Sequence, residues 1–193
     1  MGEKRKQSPV AHRLARGDAL YPGVLLARLG ENAPAALTAI GPVALLANRK
    51  TALFCSARTP GDAILRAHDM ARRLRDEGVT VISGFHSPIE KECLHILLRG
   101  KQPIIICPAR AIEAMRVPPD CRTAFDAGRV LYLSPFAMAL RRVTKDSAAR
   151  RNEFVAALAD NAYVAYAAPG GQTAKTIDLL RAWSVPPAVG TDF

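Results

Sequence analysis

No stretch of this 193-residue chain is apolar for long enough to span a membrane. Its longest apolar runs, Ile104 to Cys107 and Ala162 to Ala168 among them, fall well short of the roughly 20 residues that a transmembrane helix needs. The first residues, Gly2 to Ser8, are basic and polar with no apolar stretch behind them, which speaks against a secretory signal. Both absences point to the cytoplasm. Cysteine is sparse, and Cys55, Cys93, Cys107 and Cys121 stand far apart with no C-x-x-C pair. That spacing supports neither a disulfide framework nor a zinc site, and His12, His68, His86 and His95 supply no clustered ligands. Cys55 and Cys107 lie inside apolar runs, where a free thiol behaves as a small hydrophobe. The dinucleotide fingerprint G-x-G-x-x-G is missing, and so are internal repeats. Acid is the scarcer charge, with 17 Asp+Glu against 27 Lys+Arg and a net charge of +10.

That excess favours phosphate-bearing partners, nucleic acid first among them. Arginine outnumbers lysine, which suits two-pronged phosphate contacts. The hydrophobic share of 49% is that of an ordinary globular protein. A chain of this length buries roughly 70% of its extended surface on folding, enough for a core without metal or disulfide staples. We divide it into a basic flexible arm, residues 1–20, and a single domain, residues 21–193. The arm carries Lys4, Arg5, Lys6, Arg13 and Arg16 with little periodicity.

Beyond the arm, Pro34 to Ile40 reads as a short helix closed by Gly41. From Thr51 the chain alternates regularly. Thr51–Ser56, Val79–Ile82, Pro103–Cys107, Arg129–Leu133 and Ala162–Ala167 are short apolar strands. Helices separate them. The first begins at a Thr59 cap with Pro60 in its first turn, and it buries Ala63, Ile64, Ala67, Met70, Ala71 and Leu74 at helical spacing. Others run from Pro88 to Leu98, Ser147 to Leu158 and Thr173 to Trp183, while a loop rich in Pro and Arg follows the third strand. Continuously apolar strands alternating with amphipathic helices imply an α/β, Rossmann-like three-layer fold, a parallel sheet with helices on both faces. Ligands of such sheets bind at the carboxyl ends of the strands.

Three loops at that end carry candidate chemistry. Ser56-Ala57-Arg58-Thr59-Pro60 would let a phosphate approach backbone amides with Arg58 as clamp, or it is a tight strand–helix turn with a solvated arginine. In Ser83-Gly84-Phe85-His86-Ser87-Pro88-Ile89-Glu90, Ser83 offers a hydroxyl and Gly84 permits the turn. Glu90 sits in the first turn of a helix, where a carboxylate complements the dipole. His86 and Glu90 are the acid/base candidates if the chain is an enzyme, although a histidine without partners more often packs or caps. The third stretch runs from Arg151-Asn152-Glu153 through a strand to Pro169-Gly170-Gly171-Gln172-Thr173.

Together these segments resemble the DNA-processing protein A (DprA, or Smf) family, in a Rossmann-like superfamily that also holds the lysine-decarboxylase-like (LOG) proteins. The likeness begins at Tyr21-Pro22 and Gly41. It is carried by Ser56-Ala57-Arg58, by Ser83-Gly84 with Ile89-Glu90, and by Arg151-Asn152 with Leu158. It implies a domain that binds single-stranded DNA without catalysis or cofactor, forms a homodimer and helps to load the RecA recombinase. By resemblance, Ser56, Arg58, Ser83, Gly84, Arg151, Asn152, Gly170 and Gly171 line a phosphate pocket. The sequence departs from the family at Ser56, at Phe85-His86-Ser87-Pro88, at Leu94 and at Glu153, where an acid replaces a phosphate-seeking arginine. The alternative is a small-nucleotide-binding protein or nucleotide hydrolase of the LOG type. Pro169-Gly170-Gly171 resembles its motif, but the third glycine is missing and no glutamate follows Gly171; Asp178 is the nearest acid.

Overall fold

Seven strands form one mixed sheet in the computed structural model, which describes residues 10–192. The elements are β1 (Ala11–Ala15), α1 (Val24–Leu29), β2 (Ala36–Ile40), β3 (Lys50–Cys55), α2 (Gly61–Asp76), β4 (Thr80–Ser83) and α3 (Pro88–Leu98). They continue as β5 (Ile104–Ile106), α4 (Pro119–Asp126), β6 (Val130–Ser134), α5 (Lys145–Leu158), β7 (Asn161–Tyr166) and α6 (Gln172–Ala182). The strand order is β1-β2-β6-β5-β4-β3-β7. The five strands expected from the apolar runs are β3 to β7, and every pairing among them is parallel.

All residues of β3, β4, β5 and β6 are buried, as strands covered on both faces must be. One apolar layer packs Leu25, Phe154, Val155, Leu158 and Leu180 from α1, α5 and α6 against one face. The other face carries Ala67, Ala71 and Leu74 of α2, Ile89, Cys93 and Leu97 of α3, and Cys121 and Ala124 of α4. In α2 the buried side chains recur as Ala63, Ala67, Ala71 and Leu74, three or four residues apart. Its outer face is laced by Arg66–Asp62, Arg72–Asp69 and Arg73–Glu77 pairs. Among the described residues no helix is long and apolar enough to cross a membrane.

Four expectations are corrected. Pro34–Ile40 is not a helix, because 36–40 is β2, paired antiparallel to β1 on one side and β6 on the other. Its alanines favour helix locally, but Leu37, Ala39 and Ile40 are buried only in the strand arrangement. Gly41 ends that strand at φ +112, and a Cβ there would lie 2.5 Å from the Val130 carbonyl oxygen. The sheet is therefore parallel with an antiparallel edge. Residues 11–15, expected within the basic arm, instead form the edge strand, where Leu14 is buried, while residues 1–9 of that expected arm lie outside the described ones. Thr59 does not cap α2; Pro60 holds that position, and the Thr59 hydroxyl donates to the Ser56 carbonyl at 2.8 Å. Finally, the loop after β5 contains α4, begun by the Pro118-Pro119 pair.

The order of strands positions the site. From β3 the chain steps outward through β4, β5 and β6, then returns to place β7 on the other side of β3. The connections leaving β3 and β7 thus diverge, and a crevice opens between them at the carboxyl end of the sheet.

Candidate functional site

The crevice is a cleft of about 560 Å³ lined by the loops after β3, β4 and β7 and by the first two turns of α5. Ser56 ties two of its walls together. The Ser56 amide donates to the Tyr166 carbonyl at 2.9 Å, and the Ser56 hydroxyl accepts from the Ala168 amide at 2.9 Å. Arg58, two residues on, is exposed on the rim.

Glu90 builds the second wall. Its Oε1 accepts from the Cys55 amide at 3.0 Å, and its Oε2 accepts from the amides of His86 and Ser87 at 2.8 and 3.2 Å. The Ser87 hydroxyl in return accepts from the Glu90 amide, completing a capping box at the start of α3. Both carboxylate oxygens are thereby committed to backbone donors, so Glu90 holds two loops in register and does not stand free as an acid or base. His86 is exposed beside it. Ser83, fully buried, donates to the Leu53 carbonyl at 2.7 Å and accepts from the Phe85 amide at 3.2 Å, so its hydroxyl fixes the turn. Phe85 sits at φ +45, a conformation costly for a bulky residue and one that gathers at functional loops.

Arg151 crosses the floor. It is only 4% exposed, with its Nε donating to Asn152 Oδ1 at 2.7 Å and one terminal nitrogen donating to the Cys107 carbonyl at 3.3 Å. Burial pulls its pKa below the ordinary arginine range, and the nearby Glu90 carboxylate pulls it back up. The guanidinium lies across Gly84, where a Cβ would stand 1.6 Å from it. Gly84 is therefore required for close approach and not merely for turning.

The last wall is the amino end of α6. Gly170 adopts φ +66, the Gly171 amide donates to the Ala168 carbonyl at 2.9 Å, and no side chain caps the helix. Uncapped amides at a helix start offer donors and a positive dipole end to an anion. Of the expected residues, Ser56, Arg58, Arg151, Asn152 and Gly171 line the cleft. Ser83 and Gly84 stand behind it, shaping the loop and seating Arg151, and Gly170 forms the turn before α6. Glu153 does not line the cleft, so the acid in that position does not oppose the cations there. Sequence reasoning missed Lys145 and Ala148, which complete the α5 wall. Thr144 and Ser147 form a capping box, a signal that would have begun α5 two residues earlier and placed Lys145 on it.

The model of the DNA recombination-mediator protein A family matches residues 12–182. The chain belongs to that family. No curated protein matches the sequence. Among solved structures, DNA processing protein A from Helicobacter pylori, studied for its single-stranded DNA binding mode, aligns with a TM-score of 0.73 at 18% identity. The alignment covers 92% of this chain and 79% of that one. The protein of the same name from Streptococcus pneumoniae gives a TM-score of 0.74 at 19% identity, over 94% of this chain and 64% of the other. This chain thus spans less than two thirds of the pneumococcal one, and at these identities the likeness is one of fold.

Proposed function

We propose that this protein binds single-stranded DNA through the cleft, as a non-catalytic member of its family in DNA processing and recombination. The observation that carries the reading is the convergence of a buried, desolvated Arg151 guanidinium with the uncapped start of α6 in one crevice. Arg58 and Lys145 stand on its rim as exposed cations. Donors, fixed charge and dipole of this kind suit a phosphodiester, and phosphate contacts carry no sequence information, so binding is sequence-tolerant. Ser56, Ser83, Gly84, Asn152, Gly170 and Gly171 are assigned to shaping and lining the phosphate site. A homodimer and a RecA-type recombinase are the partners we infer from the family. The four cysteines, all free and buried, suit the reducing cytoplasm in which such partners meet.

Competition tests the reading. A fluorescent oligothymidine should bind, and a large excess of a nucleoside monophosphate should leave it bound, since one phosphate forgoes the cumulative charge of a strand. Tight monophosphate binding that displaces the oligomer would sink the proposal and favour a small-nucleotide protein.

A further inference from the structure

The excess positive charge is unevenly paired. The arginines of α2 are neutralised by neighbouring acids. Arg110, Arg141 and Arg142 are exposed and make no side-chain hydrogen bond or ion pair among the described residues. They come from two loops, after β5 and after β6, that are pinned side by side. The Arg110 carbonyl accepts from the Ser134 hydroxyl at 2.8 Å, and the Ala111 amide donates to the Leu140 carbonyl at 2.8 Å.

Between Arg110 and Arg141 lies a separate cavity of about 310 Å³ with Met115 and Met138 on its apolar side. That volume is at the lower end of small-ligand sites and suits one nucleotide unit. Met138, 64% exposed, leaves an apolar face with no covering element. Glu113 also lines this cavity; one carboxylate oxygen accepts from the Thr38 hydroxyl at 2.9 Å, and the other is buried without a partner. A carboxylate there repels phosphate and accepts from a base N–H, so the sugar–phosphate backbone must run over the arginines with the base turned inward.

Two short chain segments link this second cavity to the cleft. Arg151 on the cleft floor donates to the carbonyl of Cys107, three residues before Arg110, and Lys145 on the cleft rim follows Arg142 by three. We propose that a single strand occupying the cleft continues toward β6 and seats its next nucleotides on a cationic shelf made by Arg110, Arg141 and Arg142. The inference rests on the single-stranded DNA reading of the cleft and gives the strand a direction of exit.

Salt-dependent anisotropy on oligothymidines of about 4 and about 16 nucleotides tests it, because the shorter fills one site and the longer spans both. The variant is the triple substitution Arg110→Ser, Arg141→Ser and Arg142→Ser, at exposed positions, and its melting temperature should match the wild type's. The triple variant should bind the short oligomer as the wild type does and the long one more weakly. Its salt slope on the long oligomer should shrink by about 0.7 per arginine removed. If the long oligomer binds unchanged while Arg58→Ala weakens both lengths, the shelf is overturned and the cleft stands. If Arg58→Ala leaves both lengths unchanged, cleft and shelf fall together.

Discussion

Arg151 holds a charge in a place where the residue opposite must have no side chain. Gly84→Ala would set a methyl 1.6 Å from the guanidinium, which must then leave its seat on the Cys107 carbonyl. Overpacking of this kind costs about 1–3 kcal/mol, read as a lower urea midpoint, and DNA affinity should fall with it. Glu90→Ala removes the acceptor of three backbone amides, and hydrogen bonds to a charged group are worth about 1.5–3 kcal/mol each. That variant should melt far below the wild type, whereas His86→Ala, at an exposed ring, should not shift the melt. At this scale the sequence was legible for small residues and cations, since Ser56, Arg58, Arg151 and Asn152 line one cleft and Gly84 lies against the Arg151 guanidinium. The role of Glu90 was not, because a carboxylate in a first helical turn looks the same whether it caps, pairs or titrates. Only its three amide partners separate these.

Among the elements, the strands that sequence made visible are the apolar runs, of which β3 to β6 are buried along their whole length and β7, at the sheet edge, in part. The antiparallel edge was hidden for the opposite reason. β1 reads A-H-R-L-A and buries only Leu14, and β2 reads A-L-T-A-I, rich in alanine and close to proline. Neither has a run long enough to reveal its period, and only pairing with β6 gives them a face to bury. Leu14 is thus the anchor of the edge. Leu14→Ala should cost about 2–5 kcal/mol by denaturant titration, a loss that a mobile arm would not show. The same edge carries Thr38, whose hydroxyl holds Glu113 beside the shelf, so loosening β1 and β2 should also blunt any long-oligomer preference.

For the molecule as a whole, charge and thiols set the solution behaviour. All four cysteines are buried, and burial pushes the thiols of Cys93 and Cys107 up from the ordinary 9.0 to about 12. The native state keeps these protons after the unfolded chain has lost them. Stability is therefore intact below about pH 9 and declines as pH rises toward about 12. Thiol reagent at pH 8 should label the cysteines only on unfolding; prompt labelling of the native protein would contradict this burial. Net charge alone predicts attraction to any polyanion, whereas a cleft predicts that particular cations matter and others do not. The decisive measurement is the slope of log affinity against log salt on an oligothymidine, for the wild type, Arg58→Ala, Lys145→Ala and Arg49→Ala. Arg49 is an exposed control that lines a cavity at the amino end of the sheet. A cleft site predicts slopes smaller by about 0.7 for Arg58→Ala and for Lys145→Ala, with Arg49→Ala indistinguishable from wild type. Equal losses in all three variants, or none in any, would contradict it.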